Sequence, residues 1–524
     1  MLKMKNRAIT ILSVLTALLL IVSGFKTAAS ADETGTVIEF ADSSVTVSGD
    51  AAGVKVSGTD VKINASGTYT LTGSCSSGTV VVKKSVTGVT LVLDGLNLTS
   101  SATAPITCNK GSGVTIIAKE GSVSTLADDK YNNDDIYTDE TVYPDIENAV
   151  IKCKDGSNVT VCGTGTININ AYGKNGIKGG YDLYEEDENG NATSTLLSTA
   201  SLTVKEVTLN ISATVNDAIK SDKELNILSG NITVSAADDG IKSDYVLNIG
   251  APGTAGPTVN ITGSNEGIEA ATLNVYSGNV TVNAADDGIN AANSDLSGYS
   301  FSYNQYGGYV YVNCSNGDGI DSNGTINLSG GTVEVYSPSQ GDGDPLDADG
   351  EITFGGATVL AVGHNAMQQR YTASTPYVTF GSTGTGGFGG YGGGPGRNTA
   401  SQGSAADAFG GGSALVKAGS VIAIKDSSGS TLYSATAVRD ADFVLFASPS
   451  LTNGSSYKLY SNGSSVATAS AGASSSGTAQ PGVPEGEQGE ESVSPVFAFF
   501  RGVINWFMRV IQIIKSFFSG LTAA

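Results

Sequence analysis

Histidine is almost absent from the sequence, which holds only His364 among 524 residues. Cysteines and histidines also never occur at the CxxC or HxxxH spacing that zinc sites use. These shortages argue against a zinc centre, and we expect His364 to be an ordinary loop residue.

Cysteine is scarce as well, with five residues, an odd number that argues against a disulfide scaffold. Cys108 in "APITCNKGSGVTI" and Cys153 in "AVIKCKDGSNVTV" occupy the same place in two matching segments. Small apolar residues stacked in a core would explain this match. A bridge or a reactive thiol is the alternative.

Basic residues are few, because 28 Lys and Arg stand against 50 Asp and Glu, for a net charge of -22. Nucleic acid is a poor partner for such a chain, since its phosphates must be neutralised by basic groups. Hydrated cations or neutral polymers suit it better. The chain, with 524 residues, is also longer than a single globular domain with one core, which favours an extended or multi-part protein.

The N-terminus has the pattern of a secretion signal. Lys3, Lys5 and Arg7 precede the apolar run "AITILSVLTALLLIV", and the small residues 29–31 suit signal peptidase. We therefore predict that residues 1–31 are removed and that the protein is secreted or lies at the cell surface.

A repeat occupies the middle of the chain. Its copies are "NDAIKSD" from 216, "DDGIKSD" from 238, "NEGIEAA" from 265, "DDGINAA" from 286, "GDGIDSN" from 317 and "GDPLDAD" from 343. The second residues of successive copies are 22, 27, 21, 31 and 26 positions apart. A period near 22 with inserted loops is typical of a stacked repeat.

Short alternating stretches rich in branched residues, such as "IKSDKELNILSGNITVSA", predict strands of three to five residues within each period. A β-sandwich gives no reason to repeat a motif in register, whereas a parallel β-helix with one coil per period does. We therefore predict an all-β chain whose coils stack one inward ladder: Ile219, Ile241, Ile268, Ile289, Ile320 and Leu346.

The same stacking would place acids in a column, with copies about 4.8 Å apart. Its members are Asp217, Asp239, Glu266, Asp287, Asp318 and Asp344. Lys220 and Lys242 could neutralise the first coils, but the matching later positions hold Glu269, Asn290, Asp321 and Asp347. Calcium, which takes carboxylate, amide and carbonyl oxygens, would offset the repulsion. The alternative is that Asp and Asn only favour turns here. The pattern is not an EF-hand loop.

The ordered motifs resemble a known family, the clostridial cell-surface carbohydrate-binding proteins of right-handed parallel β-helix fold. The resemblance rests on "ASGTYTLTGSCSSGTVVV" at 65–82, "GVTLVLDGLNLTSSATAPITC" at 88–108, the acidic repeats and "GDPLDADGEITFGGATVLAVGHNAM" at 343–367. It implies binding of calcium and of plant cell-wall polysaccharides, pectic chains and cellulose, without established catalysis. The implied metal positions are Asp217, Asp222, Asp239, Asp244, Asp287, Asp318 and Asp344.

A tyrosine-rich insertion, "GYSFSYNQYGGYVYV" at 298–312, is the candidate sugar platform. Aromatic faces stack on sugar rings, and we name Tyr299, Tyr303, Tyr306 and Tyr309. The alternative is that these rings pack the insertion onto the coils.

Two other functions stay open. A calcium-dependent lyase of the pectate-lyase type needs a basic residue beside the metal, and Lys220 and Lys242 are near the acids. However, Asp222 and Asp244 would keep those lysines protonated. A structural or adhesive surface protein would use the same repeats, and only a glycan-binding test separates it from the binding module.

The predicted organisation is a β-helix at 32–380, a Gly-rich loop at 381–414, a small antiparallel β-segment at 415–470 that caps the coils, a disordered linker at 471–494 and an amphipathic helix at 495–524. Arg501, Arg509 and Lys515 make a spanning helix unfavourable, so we expect this helix to contact a membrane surface or a protein partner.

Overall fold

The structure is a computed structural model that describes residues 35–339, 343–365, 369, 371–381 and 414–472. The predicted signal peptide and C-terminal helix lie outside the described residues, as do nearly all of the Gly-rich loop and the linker. Among the described residues there is no helix, and hence none suited to crossing a membrane. The all-β prediction is confirmed.

Most strands belong to three ladders of parallel pairs, called A, B and C in the order in which the chain visits them. Ladder A consists of Thr36–Ala41, Gly67–Cys75, Val89–Leu93, Gly113–Ala118, Asn158–Cys162, Ser201–Val204, Glu224–Ile227, Ile241–Ile249, Ile268–Val275, Ser302–Gln305, Thr325–Leu328, Ile352–Phe354 and Tyr371–Ala373.

Ladder B consists of Asn97–Thr99, Val123–Ala127, Thr166–Ala171, Thr208–Ala213, Asn231–Ala236, Thr258–Gly263, Asn279–Ala284, Tyr309–Cys314, Thr332–Tyr336 and Thr358–Gly363. Ladder C consists of Asp60–Ile63, Thr79–Val82, Ile106–Cys108, Ala149–Cys153, Asn175–Gly179, Ile219–Ser221, the first residues of Ile241–Ile249 and Ile268–Val275, Ile289–Ala291 and Ile320–Ser322.

One pass through the ladders defines a repeat. The chain runs through Ser201–Val204 in ladder A, Thr208–Ala213 in ladder B and Ile219–Ser221 in ladder C, and returns to ladder A at Glu224–Ile227. That last strand pairs in parallel with Ser201–Val204. Each repeat therefore adds one parallel strand to every ladder.

The inward residues of ladder C form a continuous apolar row in the predicted register. Ile219, Ile241, Ile268, Ile289, Ile320 and Leu346 are successive partners, and each is at most 2% exposed. Branched side chains alternating with polar ones suit a strand whose one face is buried. The row thus forms part of the core between the ladders.

The glycine of the "DDGI" motif is explained by close approach between elements. A Cβ on Gly267 would lie 2.2 Å from Val282 Cγ1 and 2.2 Å from the carbonyl oxygen of Gly288. At Gly288 and Gly319 the corresponding distance to a valine Cγ1 is 2.1 Å. The motif therefore marks the point where the turn between ladders B and C presses against the inward valines of ladder B.

The matching cysteines are partners in ladder C, where Cys108 pairs with Cys153. Both are buried free thiols. A hydrogen bond with Cys153, together with burial, raises the pKa of Cys108 well above its usual value. This placement agrees with the interpretation as stacked core residues and opposes a reactive thiol.

The remaining strands are antiparallel: Ser44–Ser48 on Thr36–Ala41, Val54–Ser57 on Asp60–Ile63, the hairpin of Leu183–Glu186 and Ala192–Ser198, and the four-stranded sheet of Val421–Lys425, Thr431–Thr436, Ser456–Ser461 and Ser464–Ser470. Phe443–Ala447 pairs with both Thr358–Gly363, the last strand of ladder B, and Tyr377–Gly381. Phe443–Ala447 thus covers the edge of ladder B, which could otherwise pair with a strand of another chain.

The close approach at Gly267 generates a test. Gly267→Ala must displace Val282 or the neighbouring backbone, so we expect the free energy of unfolding to fall by about 1–3 kcal/mol. Gly263→Ala is the matched control, because no atom lies within 4 Å of its Cβ position. Urea unfolding of both variants measures the difference, and equal stabilities would contradict the packing argument.

Candidate functional site

The acid column lies in the turns between ladders B and C, and the backbone sets its register. The backbone carbonyl oxygen of each column acid accepts a hydrogen bond from a backbone N–H of the previous repeat. The donor is the residue directly after the acid position of that repeat, as when Gly267 N–H donates to Asp287 O at 2.9 Å. Three carboxylates also accept the backbone N–H of the next column acid: Asp217 from Asp239 at 3.2 Å, Asp287 from Asp318 at 2.7 Å and Asp318 from Asp344. The carboxylates therefore have a structural role as well.

A second column runs beside the first, on the outward face of ladder C. Its residues are in register and consist of Lys152, Lys178, Lys220, Lys242, Glu269, Asn290, Asp321 and Asp347. We call this set the outer column. Its charge changes from positive to negative along the ladder, as the sequence predicted for the positions from Lys220 onward.

In the cationic half of the outer column, lysines pair with the acids around them. Lys178 Nζ lies 3.8 Å from Asp222, and Lys220 Nζ lies 3.9 Å from Asp244. The structure therefore places Asp222 and Asp244 in ion pairs with lysines. Tyr181 also donates its hydroxyl to Asp244 at 3.1 Å.

Lys242 ends this half. Its Nζ lies 2.8 Å from Asp239 and also contacts Glu269. Burial opposes the charge of Lys242, but both carboxylates outweigh burial and raise the pKa of its amine. Asp239, Glu266 and Glu269 offer oxygens within 4.8 Å of one another, so the lysine supplies one positive charge to a cluster of three carboxylates.

In the anionic half, Asp318, Asp321 and Asp347 form a second cluster with oxygens within 4.8 Å of one another. We call it the aspartate cluster. Within the described part of the chain, no Lys or Arg nitrogen lies within 4.0 Å of these three carboxylates. Gln369 donates a hydrogen bond to Asp347. Among the described residues, the half-buried cluster therefore has no lysine in the place that Lys242 takes in the earlier cluster.

Charge repulsion and burial both act on the aspartate cluster. Burial and then the charge of Asp347 raise the pKa of Asp318 to about 8. Burial and then the charges of Asp287 and Asp347 raise the pKa of Asp321 to about 7. Burial also raises the pKa of Asp347. A bound cation would favour the ionised forms of all three.

The donor set of the aspartate cluster suits calcium. It offers carboxylate oxygens alone, which a hard divalent cation prefers, and backbone carbonyls and water can complete six to eight ligands. Of the seven predicted metal positions, only Asp318 lies in this cluster. Asp217 and Asp239 lie with Asp238 in an earlier group, while Asp287 and Asp344 are neighbours of Asp318 along the acid column.

Asp321 and Asp347 belong to the aspartate cluster but are not among the predicted metal positions. The sequence held the signal, because both occupy the position where earlier repeats carry lysine. The distance between the acid column and the outer column could not be predicted from the sequence. This distance is short enough for residues of different columns and different repeats to meet.

The four predicted tyrosines do not form one platform. Tyr303 is fully buried in ladder A and donates its hydroxyl to Gln305 at 2.6 Å, so its ring faces the core. Tyr299 packs on Tyr245 and Phe301. Tyr306 is 47% exposed and stacks on Tyr276 of the previous repeat with centroids 5.1 Å apart. Tyr309 lies in ladder B with its side chain on the outward side, away from the Tyr276–Tyr306 stack.

The ladder geometry also bears on the lyase alternative. Lys242 is the outer-column lysine nearest to Asp321, three ladder positions away, or roughly 14 Å at about 4.8 Å per strand. Its raised pKa keeps it protonated. Burial and then Lys178 lower the pKa of Lys152, but this lysine lies six positions from Asp321.

Comparisons with known proteins point to carbohydrate recognition. A model for carbohydrate-binding domain-containing proteins matches residues 57–186 and 182–343. A carbohydrate-binding domain-containing protein of Acetivibrio thermocellus is 34% identical over 133 residues, which make up 25% of this chain and 44% of that relative. The chain thus spans less than half the length of this relative.

A solved structure is also similar, that of a polysaccharide lyase-like protein from C. thermocellum in a gadolinium derivative. Its sequence is 22% identical, and the match covers 61% of this chain and 96% of that chain with a TM-score of 0.34. A TM-score this low does not support a conclusion about the fold or the function of this chain.

The raised pKa values generate a test of pH dependence. Carboxyls whose pKa is about 7 or 8 in the folded chain and about 4 when unfolded bind more protons in the folded state between those values. Without calcium, we therefore expect the melting temperature to fall as pH rises from 5 to 8. Asp321→Asn should flatten this slope. Calorimetry in chelator measures it, and a slope unchanged by Asp321→Asn would contradict the assignment.

Proposed function

The chain belongs to the family of carbohydrate-binding domain-containing proteins, and from this premise we propose that it binds an acidic, pectic polysaccharide through calcium held at the aspartate cluster. One observation carries the proposal: three half-buried carboxylates converge where earlier repeats place a neutralising lysine. A divalent cation would supply a counter-charge to such a cluster.

The proposed fold is a right-handed parallel β-helix in which each repeat is one coil. The three parallel ladders and the constant visiting order support this winding. Connections between parallel strands of one sheet are right-handed in nearly all proteins. Such a scaffold would hold the cluster on stiff strands rather than on a loop.

Calcium would take the place of Lys242 in the later repeats. Both sites bring together carboxylates of neighbouring repeats within 4.8 Å, and among the described residues a lysine amine contacts the first site alone. Asp318, Asp321 and Asp347 would hold the ion, and backbone carbonyls, water or the ligand would complete its shell.

The ligand's charge follows from the same electrostatics. A protein with net charge -22 repels uronate carboxylates. A calcium ion bound on one side by aspartates can accept uronate oxygens on the other, and then it attracts the polymer. Polygalacturonate, with one carboxylate per sugar, is therefore the proposed ligand class, and the polymer would come from plant cell walls.

We propose binding without catalysis. Elimination needs an unprotonated base beside the metal-bound uronate, and the nearest outer-column lysine is Lys242, which its acids keep charged. A lyase would release an unsaturated product that absorbs ultraviolet light, and its accumulation would favour the enzyme. Absence of any glycan binding would favour the structural or adhesive role.

The proposed location is outside the cell, where such polymers occur. The support is the signal pattern at residues 1–31. The C-terminal segment 495–524 would attach the protein to a membrane surface or to a protein partner.

Asp321→Asn tests the metal site. Removal of one carboxylate should weaken calcium binding by about tenfold or more, because calcium affinity follows the count of charged ligands. Calcium-dependent binding to polygalacturonate should fall with it. Asp145→Asn, at an exposed acid with no ion pair within the described residues, is the control. Isothermal titration measures both steps, and unchanged calcium affinity in Asp321→Asn would contradict the proposal.

Lys242→Ala tests the equivalence of lysine and calcium. The variant leaves Asp239, Glu266 and Glu269 without their amine, so we expect it to bind one calcium ion more than the unmodified chain. Lys119→Ala is the control, since among the described residues that lysine forms an ion pair with Asp94 alone. Equilibrium dialysis gives the stoichiometry, and an unchanged count in Lys242→Ala would show that a carboxylate cluster without its amine does not suffice.

A further inference from the structure

One turn between ladders B and C is far longer than the others. It occupies residues 128–148, directly before Ala149–Cys153. The corresponding turn after Thr208–Ala213 occupies only residues 214–218. We call residues 128–148 the tyrosine loop. Since the short form of the turn is enough to connect the ladders, the added residues are available for another role.

Buried polar side chains hold the tyrosine loop in place. Asn132 is fully buried, donates through Nδ2 to the carbonyl oxygen of Ala149 at 3.0 Å and accepts the backbone N–H of Glu147 at 2.8 Å. Asn133 is 2% exposed and donates to the carbonyl oxygen of Gly173, in the next repeat, at 2.9 Å. The loop is therefore pre-formed, which lowers the entropy that a partner would have to spend on ordering it.

The tyrosine loop presents an apolar surface. The half-buried rings of Tyr131, Tyr137 and Tyr143 contact one another, with centroids 4.9, 5.2 and 5.6 Å apart. Ile136 and Val142 are 65% and 59% exposed, and Ile136 is the most exposed large apolar side chain among the described residues. Exposed aliphatic side chains beside aromatic rings are typical of a surface that binds another protein.

The charge of the loop selects the kind of partner. Residues 129–147 include seven Asp and Glu against one lysine. Three of these acids pair with Lys174 or Lys154, which lie outside the loop. Asp139, Glu140 and Asp145 are exposed and form no ion pair among the described residues. A second copy of the loop, a polyuronate or a nucleic acid would be repelled, whereas a cationic partner would be attracted.

The acids of the loop are spread out, and its rings can receive a cation. Among the described residues, every group of three carboxylates with oxygens within 4.8 Å of one another lies outside residues 128–148. The loop thus differs from the aspartate cluster and does not suit a metal ion. Lys130 places its Nζ 5.0 Å from the ring centroid of Tyr131, so an aromatic face of the loop already contacts an ammonium group.

We propose that the tyrosine loop is a docking surface for a cationic segment of another protein, one that combines Lys or Arg with apolar side chains. The apolar side chains of the partner would pack on Ile136, Val142 and the three rings. Its cations would lie near the exposed acids, and guanidinium groups can also stack on tyrosine faces. The inference depends neither on the aspartate cluster nor on glycan binding.

Fluorescence anisotropy of labelled peptides with the full chain tests the proposal, in chelator and at about 0.15 M salt, where distant charges are screened. The probe is a peptide of alternating arginine and leucine. Peptides of alternating arginine and serine and of alternating glutamate and leucine are its controls. We expect the arginine–leucine peptide to bind at least about fivefold more tightly than the arginine–serine peptide, because only the first has apolar contacts to make. The glutamate–leucine peptide should not bind.

A double variant removes the apolar part of the surface. Ile136→Ser with Val142→Ser should weaken binding of the arginine–leucine peptide by about tenfold, the scale of two central interface contacts. The matched control is Leu196→Ser with Leu197→Ser in the hairpin, where the two side chains are 48% and 59% exposed. This control should keep the unmodified affinity.

A second double variant removes two charges. Glu140→Gln with Asp145→Asn should weaken binding by about threefold and make it less sensitive to salt. Glu185→Gln with Glu186→Gln changes the net charge equally at exposed positions of the hairpin, so it separates local charge from the charge of the whole chain. Calcium-dependent binding to polygalacturonate should be the same in all four double variants.

The outcomes decide between local docking and general attraction to an acidic protein. No binding of the arginine–leucine peptide, or equally tight binding of the arginine–serine peptide, would overturn the proposal. Loss of affinity in the hairpin variants as large as in the loop variants would overturn it too. Melting temperatures should match within each pair, and the charge pair decides if the serine variant of the loop melts below its control. Failure of polygalacturonate to bind would contradict the proposed function and leave this inference standing.

Discussion

In-register stacking at the strand spacing is the constraint on which the rest of the structure depends, because every side chain becomes the neighbour of its own equivalent. Apolar residues gain from this arrangement, as the buried row from Ile219 to Leu346 shows. Equal charges about 4.8 Å apart repel each other, and partial burial strengthens the repulsion. A repeat that conserves an acid must therefore supply something between its copies.

Polar side chains meet the constraint according to their hydrogen-bonding groups. An amide carries a donor and an acceptor, so asparagines chain to their own copies, as Asn226, Asn248, Asn274, Asn304 and Asn327 do. An ionised carboxylate only accepts. Asp217, Asp287 and Asp318 therefore take a backbone N–H of the next repeat. That bond fixes the position of each carboxylate.

Much of this could be read from the sequence, because stacking converts a linear period into spatial neighbours. The spacing of the "DDGI" motif predicted the inward register and the change of charge after Lys242. Contacts between columns could not be predicted, since they depend on side-chain reach across a turn. The convergence of Asp321 and Asp347 with Asp318 was not predicted for this reason. Tyr303 was predicted on the surface because the repeat pattern is interrupted by an insertion there. Without that pattern, the sequence does not indicate that its side chain faces the core.

The charge reversal of the outer column has a consequence for specificity. Lysines pair with acids in the earlier repeats, so the proposed metal-bridged polymer would have its site confined to the later ones. The earlier repeats of ladder B, by contrast, present uncharged threonine, asparagine and serine side chains on the outward face between Val123–Ala127 and Thr258–Gly263. The position of a repeat along the ladders thus determines whether its outward surface is charged or uncharged. The backbone register stays the same along ladder C while the outward residue changes from lysine to aspartate. The identity of the outward residue therefore determines which ligands that part of the surface can bind.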